Sequence, residues 1–101
     1  MYLAPTNVQV ELVDGTYRLV SWDYHREDVT FVIGRANSCG SYSTWTSVTG
    51  NLRSAKDERA ANDLEFIYGV RAELKGTSNT YYSNIAKVRF DNEELLLGKE
   101  I

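Results

Sequence analysis

His25 is the only histidine of the chain, and Asp23, Glu27 and Asp28 stand within three positions of it. An imidazole beside carboxylates can act as a general base or a metal ligand. Either role needs a second fixed group. One histidine in a polar loop supplies neither a nucleophile–base pair nor a tetrahedral ligand set. The carboxylates also lack the ordered ligand spacing of a calcium loop. His25 therefore reads as a solvated loop residue. Ser21, Ser41, Ser43 and Ser83 have no identifiable base, and none lies in a Gly-x-Ser-x-Gly turn. Gly34, Gly40 and Gly50 sit where turns need them and form no phosphate-cradling loop. Cys39 is the only cysteine, so no internal disulfide can form, and it reads as a plain loop thiol. These residues predict no catalytic group, no cofactor and no metal, hence not an enzyme.

Contact chemistry is better supplied. The chain has seven Tyr, two Trp and three Phe. Tyr24, Tyr42, Tyr81 and Tyr82 are candidates for an exposed aromatic patch, with Tyr42 and Tyr82 also readable as half-buried strand residues. Tyrosine gives rigid amphipathic contact area at low entropic cost.

The elements that would position these residues follow from period-two patterns. Phe66, Tyr68, Val70, Ala72 and Leu74 occupy alternate positions, as in a strand with one buried face. Val8, Val10 and Leu12 alternate in a first strand behind Pro5, which belongs at a strand start. Asp14-Gly15 predicts a hairpin into a second strand over 17–22. There Val20 and Trp22 carry the larger apolar payload, so Trp22 is placed inside. Residues 23–28 read as a loop. Val29, Phe31 and Ile33 form one side of a third strand, and residues 42–48 form a fourth. The last strand is read over 81–90, with Ala86, Val88 and Phe90 on one face. Residues 54–61 favour helix, with Ser54 and Asp57 spaced like a capping box. They predict a short helical turn near 54–62, or an irregular crossover, rather than a good strand.

The 101 residues suffice for one domain with its own core, predicted over 1–91. Residues 92–101, acidic and then apolar, read as a tail or linker with Leu95, Leu96, Leu97 and Ile101 available for docking. The net charge is −3 and the eleven Lys and Arg are scattered, so neither nucleic acid nor anionic lipid is attracted in general. No apolar run approaches the roughly 20 residues of a membrane span, and the first residues do not resemble a secretory signal.

Short strands separated by turns every eight to twelve residues suggest a β-sandwich. Along nearly its whole length the chain resembles a fibronectin type III domain. The likeness is carried by residues 4–8, by Leu19-Val20-Ser21-Trp22-Asp23, by Phe31 and Ile33, by Trp45, by Tyr68-Gly69-Val70-Arg71-Ala72 and by Tyr82-Ser83-Asn84. The resemblance implies an all-β, immunoglobulin-like sandwich of about seven antiparallel strands. Trp22, Phe31, Trp45, Tyr68, Val70 and Val88 are its structural residues. It also implies that the Tyr68 hydroxyl bonds backbone a few residues upstream, the tyrosine corner. The sequence departs from the family just before that point, where Leu64 stands four residues ahead of the tyrosine rather than about six.

In such a fold the loops at 23–28 and 75–80 share one end of the sandwich. Tyr24, His25, Arg26, Thr77, Asn79 and Tyr81 are then the binding candidates. The expected role is a non-catalytic protein-interaction, adhesion or spacer module of a larger extracellular or phage virion protein. Its partners would be other domains or subunits, or a cell-surface glycan. A stand-alone phage structural protein is the alternative, and a cytoplasmic setting stays open. A narrower likeness of Val70-Arg71-Ala72-Glu73-Leu74 to class II cytokine receptor ectodomains meets the difficulty that those domains carry disulfides.

Overall fold

The computed structural model describes residues 3–13, 17–37, 42–58, 65–75 and 79–91. Eight strands follow in chain order, and no helix occurs among these residues. They are β1 (Thr6–Val13), β2 (Tyr17–Asp23), β3 (Thr30–Asn37), β4 (Ser43–Thr49), β5 (Ser54–Asp57), β6 (Glu65–Lys75), β7 (Thr80–Tyr82) and β8 (Ala86–Asp91). One sheet has the order β1-β2-β5. The other has the order β4-β3-β6-β7, and β8 also pairs with β6. Every pairing is antiparallel.

The two sheets meet through side chains that alternate along each strand. β2 turns Arg18, Val20 and Trp22 inward, β3 turns Phe31 and Ile33, and β6 turns Tyr68, Val70 and Ala72. The Trp22 ring meets that of Phe31 across the layers at 5.2 Å between centroids. Val10, Trp45, Val48, Leu74 and Val88 close the edges of this core, half-buried. The predicted first hairpin is present, since Val13 pairs with Tyr17. Its turn at 14–16, Cys39 and the tail over 92–101 lie outside the described residues.

Two expectations are corrected. Ser54–Asp57 is a strand, not a helical turn, and residues 59–62 of the predicted turn lie outside the described residues. Local propensity yields here to pairing: Val20 takes Ala55 as its register partner and Arg18 takes Asp57, and both β5 partners are buried. The last strand is also divided. β7 and β8 occupy the same side of β6 in succession, and one extra residue separates them: Tyr82 pairs with Glu73 but Ala86 with Val70. Ser83 fills the break. Its N–H donates to the Ala72 carbonyl at 2.9 Å, and its Oγ accepts from the Ala72 N–H at 2.8 Å. The hydroxyl then donates to the Asn84 carbonyl at 2.8 Å. A side chain thus completes a ladder that the backbone alone would leave open. Ser83→Ala orphans the buried Ala72 N–H, and a loss of about 1–3 kcal/mol is expected in urea unfolding.

Candidate functional site

The register places the two candidate loops at one end of the sandwich. Thr30, at the start of β3, pairs with Glu73 near the end of β6, and Lys75 pairs with Thr80. The segment after β2 is not a free loop. Arg53 reaches across from the residues before β5, and its Nη2 donates to the carbonyls of Arg26 at 3.0 Å and Tyr24 at 3.4 Å. Its Nη1 donates to the Leu52 carbonyl at 2.8 Å and to that of Gly50. One guanidinium therefore ties four carbonyls of two connections together. Within the loop, Arg26 grips Asp28 with two bonds, at 2.5 and 2.6 Å. That hydrogen bond holds the Asp28 carboxyl below its usual pKa, against the opposing effect of desolvation.

Tyr24 packs edge-on against Phe31 at 5.4 Å and tilts against the His25 ring at 4.6 Å. The two rings line a groove of about 450 Å³ with Leu3, Ala4, Thr6 and Asp23. A second hollow, about 370 Å³, runs from Glu27 and Asp28 to Glu73 and Lys75 and so joins the two loops. His25, Asn79 and Tyr81 are exposed, Tyr24 and Arg26 are half-buried, and Thr77 lies outside the described residues. Among the described residues, no group of three His, Cys, Asp or Glu is placed to hold a metal ion.

The opposite end of the core holds a charged cluster. Arg18 and Asp57 are buried cross-strand partners, 0 % and 2 % exposed. Asp57 Oδ1 pairs with Arg35 Nη1 at 2.8 Å, and its Oδ2 accepts from the Tyr68 hydroxyl at 2.5 Å. Arg35 in turn stacks on Trp45 at 4.7 Å, and Trp45 meets Tyr68 edge-on at 6.2 Å. The Tyr68 hydroxyl thus donates to a carboxylate on β5, while residues 59–64, the upstream backbone where the tyrosine corner is expected, lie outside the described residues. A charged acceptor brought there by β5 holds the hydroxyl.

Burial first, then the bond to Asp57 and its charge, push the Tyr68 phenol above its ordinary value of 10.0, while Arg18 pulls it partly back. The folded chain thus keeps this proton longer than the unfolded chain. Its contribution is fully present below about pH 10 and is lost as pH rises beyond that, towards the folded value. Tyr68→Phe strips a charged acceptor of its donor, so a loss of about 1.5–3 kcal/mol is expected at neutral pH. The same substitution should flatten the alkaline fall of stability, followed as urea midpoints between pH 8 and about pH 11.

The outer face of the larger sheet carries a feature that the spacing of residues does not announce. Gly34 and Gly69 are register partners, and the Tyr42 ring lies across both. A Cβ on Gly34 would come within 2.5 Å of that ring, so two missing side chains make its bed. Lys87, the partner of Gly69 on β8, stands over Tyr42 at 4.8 Å from the ring centroid. Arg71 stands over Tyr82 at the same 4.8 Å.

No protein-family model matches the chain. No curated protein matches it in sequence. Solved structures do match in shape. One described as "Myokine structure" aligns with a TM-score of 0.68 at 23% identity, over 90% of this chain and 97% of that one. Another comes from work described as "Computer-Based Redesign of a beta Sandwich Protein Suggests that Extensive Negative Design Is Not Required for De Novo beta Sheet Design". It aligns with a TM-score of 0.63 at 20% identity, over 90% of each chain. With the strand order above, these likenesses make the fold an antiparallel β-sandwich of immunoglobulin-like build, compatible with the fibronectin type III arrangement of strands.

Proposed function

We propose that this chain is a fibronectin type III domain serving as a non-catalytic interaction or adhesion module of a larger extracellular or virion protein. The observation that carries the reading is the pinned loop end. Arg53 fixes the connection that bears Tyr24, His25 and Arg26, and the exposed Asn79 and Tyr81 stand at the same end. Aromatic and polar side chains on connections already ordered by the scaffold lose little entropy on binding. A spacer would have no need of such a device.

A second reading, a stand-alone structural protein of a phage particle, is favoured by β4. This edge strand, Ser43–Thr49, has seven residues with no charge and no proline. Of the other edges, β1 carries Glu11, β5 Lys56 and β8 Lys87 and Arg89, while the uncharged β7 is only three residues long. An uncharged edge can pair with another copy without like charges meeting across a twofold axis.

The two readings separate in one set of measurements. The chain is immobilised and challenged with the proteins encoded beside it and with a printed array of cell-surface glycans. An interaction module binds one of them, and Tyr24→Ala/His25→Ala/Tyr81→Ala weakens that binding by about tenfold or more. Binding untouched by those changes takes the loop end out of the reading. Light scattering that shows an oligomer abolished by Ser47→Lys replaces the module with the assembling protein.

A further inference from the structure

The cations of this chain are not used alike. Arg26, Arg35 and Lys56 each hold a carboxylate, and Arg53 holds carbonyls. Arg71 and Lys87 differ: among the described residues neither forms an ion pair, and each rests on a tyrosine. Both stand on the outer face of the larger sheet, with Arg89 beside them on β8, in a protein whose net charge is −3. β6 carries a carboxylate at each end, Glu73 at its loop end and Glu65 at the other, where Asp91 of β8 is its register partner, so Arg71 and Lys87 stand between them. The Nε of Arg71 is buried without a hydrogen-bond partner.

We propose that this face binds an acidic, extended polypeptide segment of a partner protein, through Arg71 and Lys87. The choice of a peptide follows from how the rings are used. Tyr42 is bedded on Gly34 and Gly69 and covered by Lys87, and Arg71 covers a face of Tyr82. Bases and sugar rings bind by stacking on open aromatic faces, and one face of each of these rings is already covered by a cation. What the surface offers outward is a guanidinium fork and an ammonium group, which suit carboxylates.

The spacing specifies the partner further. Lys87 is level with Gly69, and Arg71 lies two residues along the neighbouring strand. That puts the two backbone positions about 8 Å apart, from a strand spacing of ~4.8 Å and two rises of ~3.4 Å. Carboxylates at alternate positions of an extended segment are about 7 Å apart on one face. The partner is therefore a strand with Asp or Glu at every second residue. This surface lies away from the pinned loops, so its failure would leave the loop-end reading standing.

The test is fluorescence anisotropy with a labelled peptide of about twelve residues alternating Glu and Thr, at two salt concentrations. Saturable binding is expected, weaker at higher salt, and weakened by about tenfold or more in Arg71→Gln/Lys87→Gln. Lys75→Gln, at the loop end, should leave it unchanged. Near-UV circular dichroism verifies the fold of each variant, and Lys87→Gln alone serves if the double variant does not fold. The charge reversal Arg71→Glu/Lys87→Glu should instead bind an alternating Lys-Thr peptide. The proposal is overturned if the Glu-Thr peptide does not saturate, or if the glutamine variants bind it as well as the parent. Tighter binding of a heparin oligosaccharide or a poly-dT oligonucleotide also overturns it.

Discussion

Replacing Asp57 with alanine is expected to lower stability by about 3–5 kcal/mol, read from the urea midpoint at unchanged slope. Few surface-like residues of a short edge strand would do this. Asp57 does so because it is the carboxylate set between the buried Arg18 and the half-buried Arg35, and it also takes the Tyr68 hydroxyl. Removing it takes the counter-charge from Arg35 and takes the carboxylate from the register partner of the buried Arg18. Asp57→Asn keeps an acceptor for the hydroxyl but loses the charge, so an intermediate loss is expected. Pairing Asp57→Leu with Arg18→Met removes the fully buried charges and restores apolar volume, but leaves the half-buried Arg35 and the Tyr68 hydroxyl without their acceptor. That double variant should recover only part of the loss. A cost for Asp57→Ala below about 0.5 kcal/mol, a surface value, would sink this account of the cluster.

The same cluster marks where sequence reading stops. Alternation was enough for β1, β2, β3 and β6, whose inward residues include the large apolar Trp22, Phe31, Ile33 and Val70, and a run of strand-forming residues was enough for β4. β5 turns Ala55 and Asp57 inward, one small and one charged, from a segment of helix-favouring residues. Nothing in Ser54-Ala55-Lys56-Asp57 says that its carboxylate is buried; that depends on Arg18 and Arg35 from two other strands. One signal was available. Arg18 shares its alternation with Val20 and Trp22, so placing Trp22 inside also places an arginine inside, and a buried cation demands an anion. Ser83 was hidden for a related reason, since a serine that replaces a ladder bond looks like any strand serine. The loop candidates at 23–28 were legible as residue types, but their fixation by Arg53 is a contact between distant parts of the chain. The bed of Gly34 and Gly69 under Tyr42 needs the register of two strands, and single glycines in strands carry no such information.

Trp22→Ala is the other large effect, an expected loss of about 3–5 kcal/mol. Trp22 is 2 % exposed, tilts against Phe31 at 5.2 Å, and belongs to the cluster that joins the two sheets. Its removal opens a cavity between layers that are held apart by the backbone ladders on either side, so the walls collapse little. Trp45 supplies the comparison within the same protein. It is half-buried at a sheet edge, between the Arg35 guanidinium and Tyr68, and its loss opens the edge to water rather than leaving a void. Trp45→Ala should therefore cost less than Trp22→Ala, although the same atoms are deleted. The pair also separates two origins of stability. Trp22→Ala tests apolar filling between the sheets, whereas Trp45→Ala exposes one flank of Arg35 and so weakens the charged end of the core. Combined with Asp57→Ala, Trp45→Ala should be less than additive, because both act on Arg35; Trp22→Ala shares no such partner with Asp57 and should add. Equal coupling of both tryptophans to Asp57 would mean that the core responds as one unit and that the charged cluster has no separate identity.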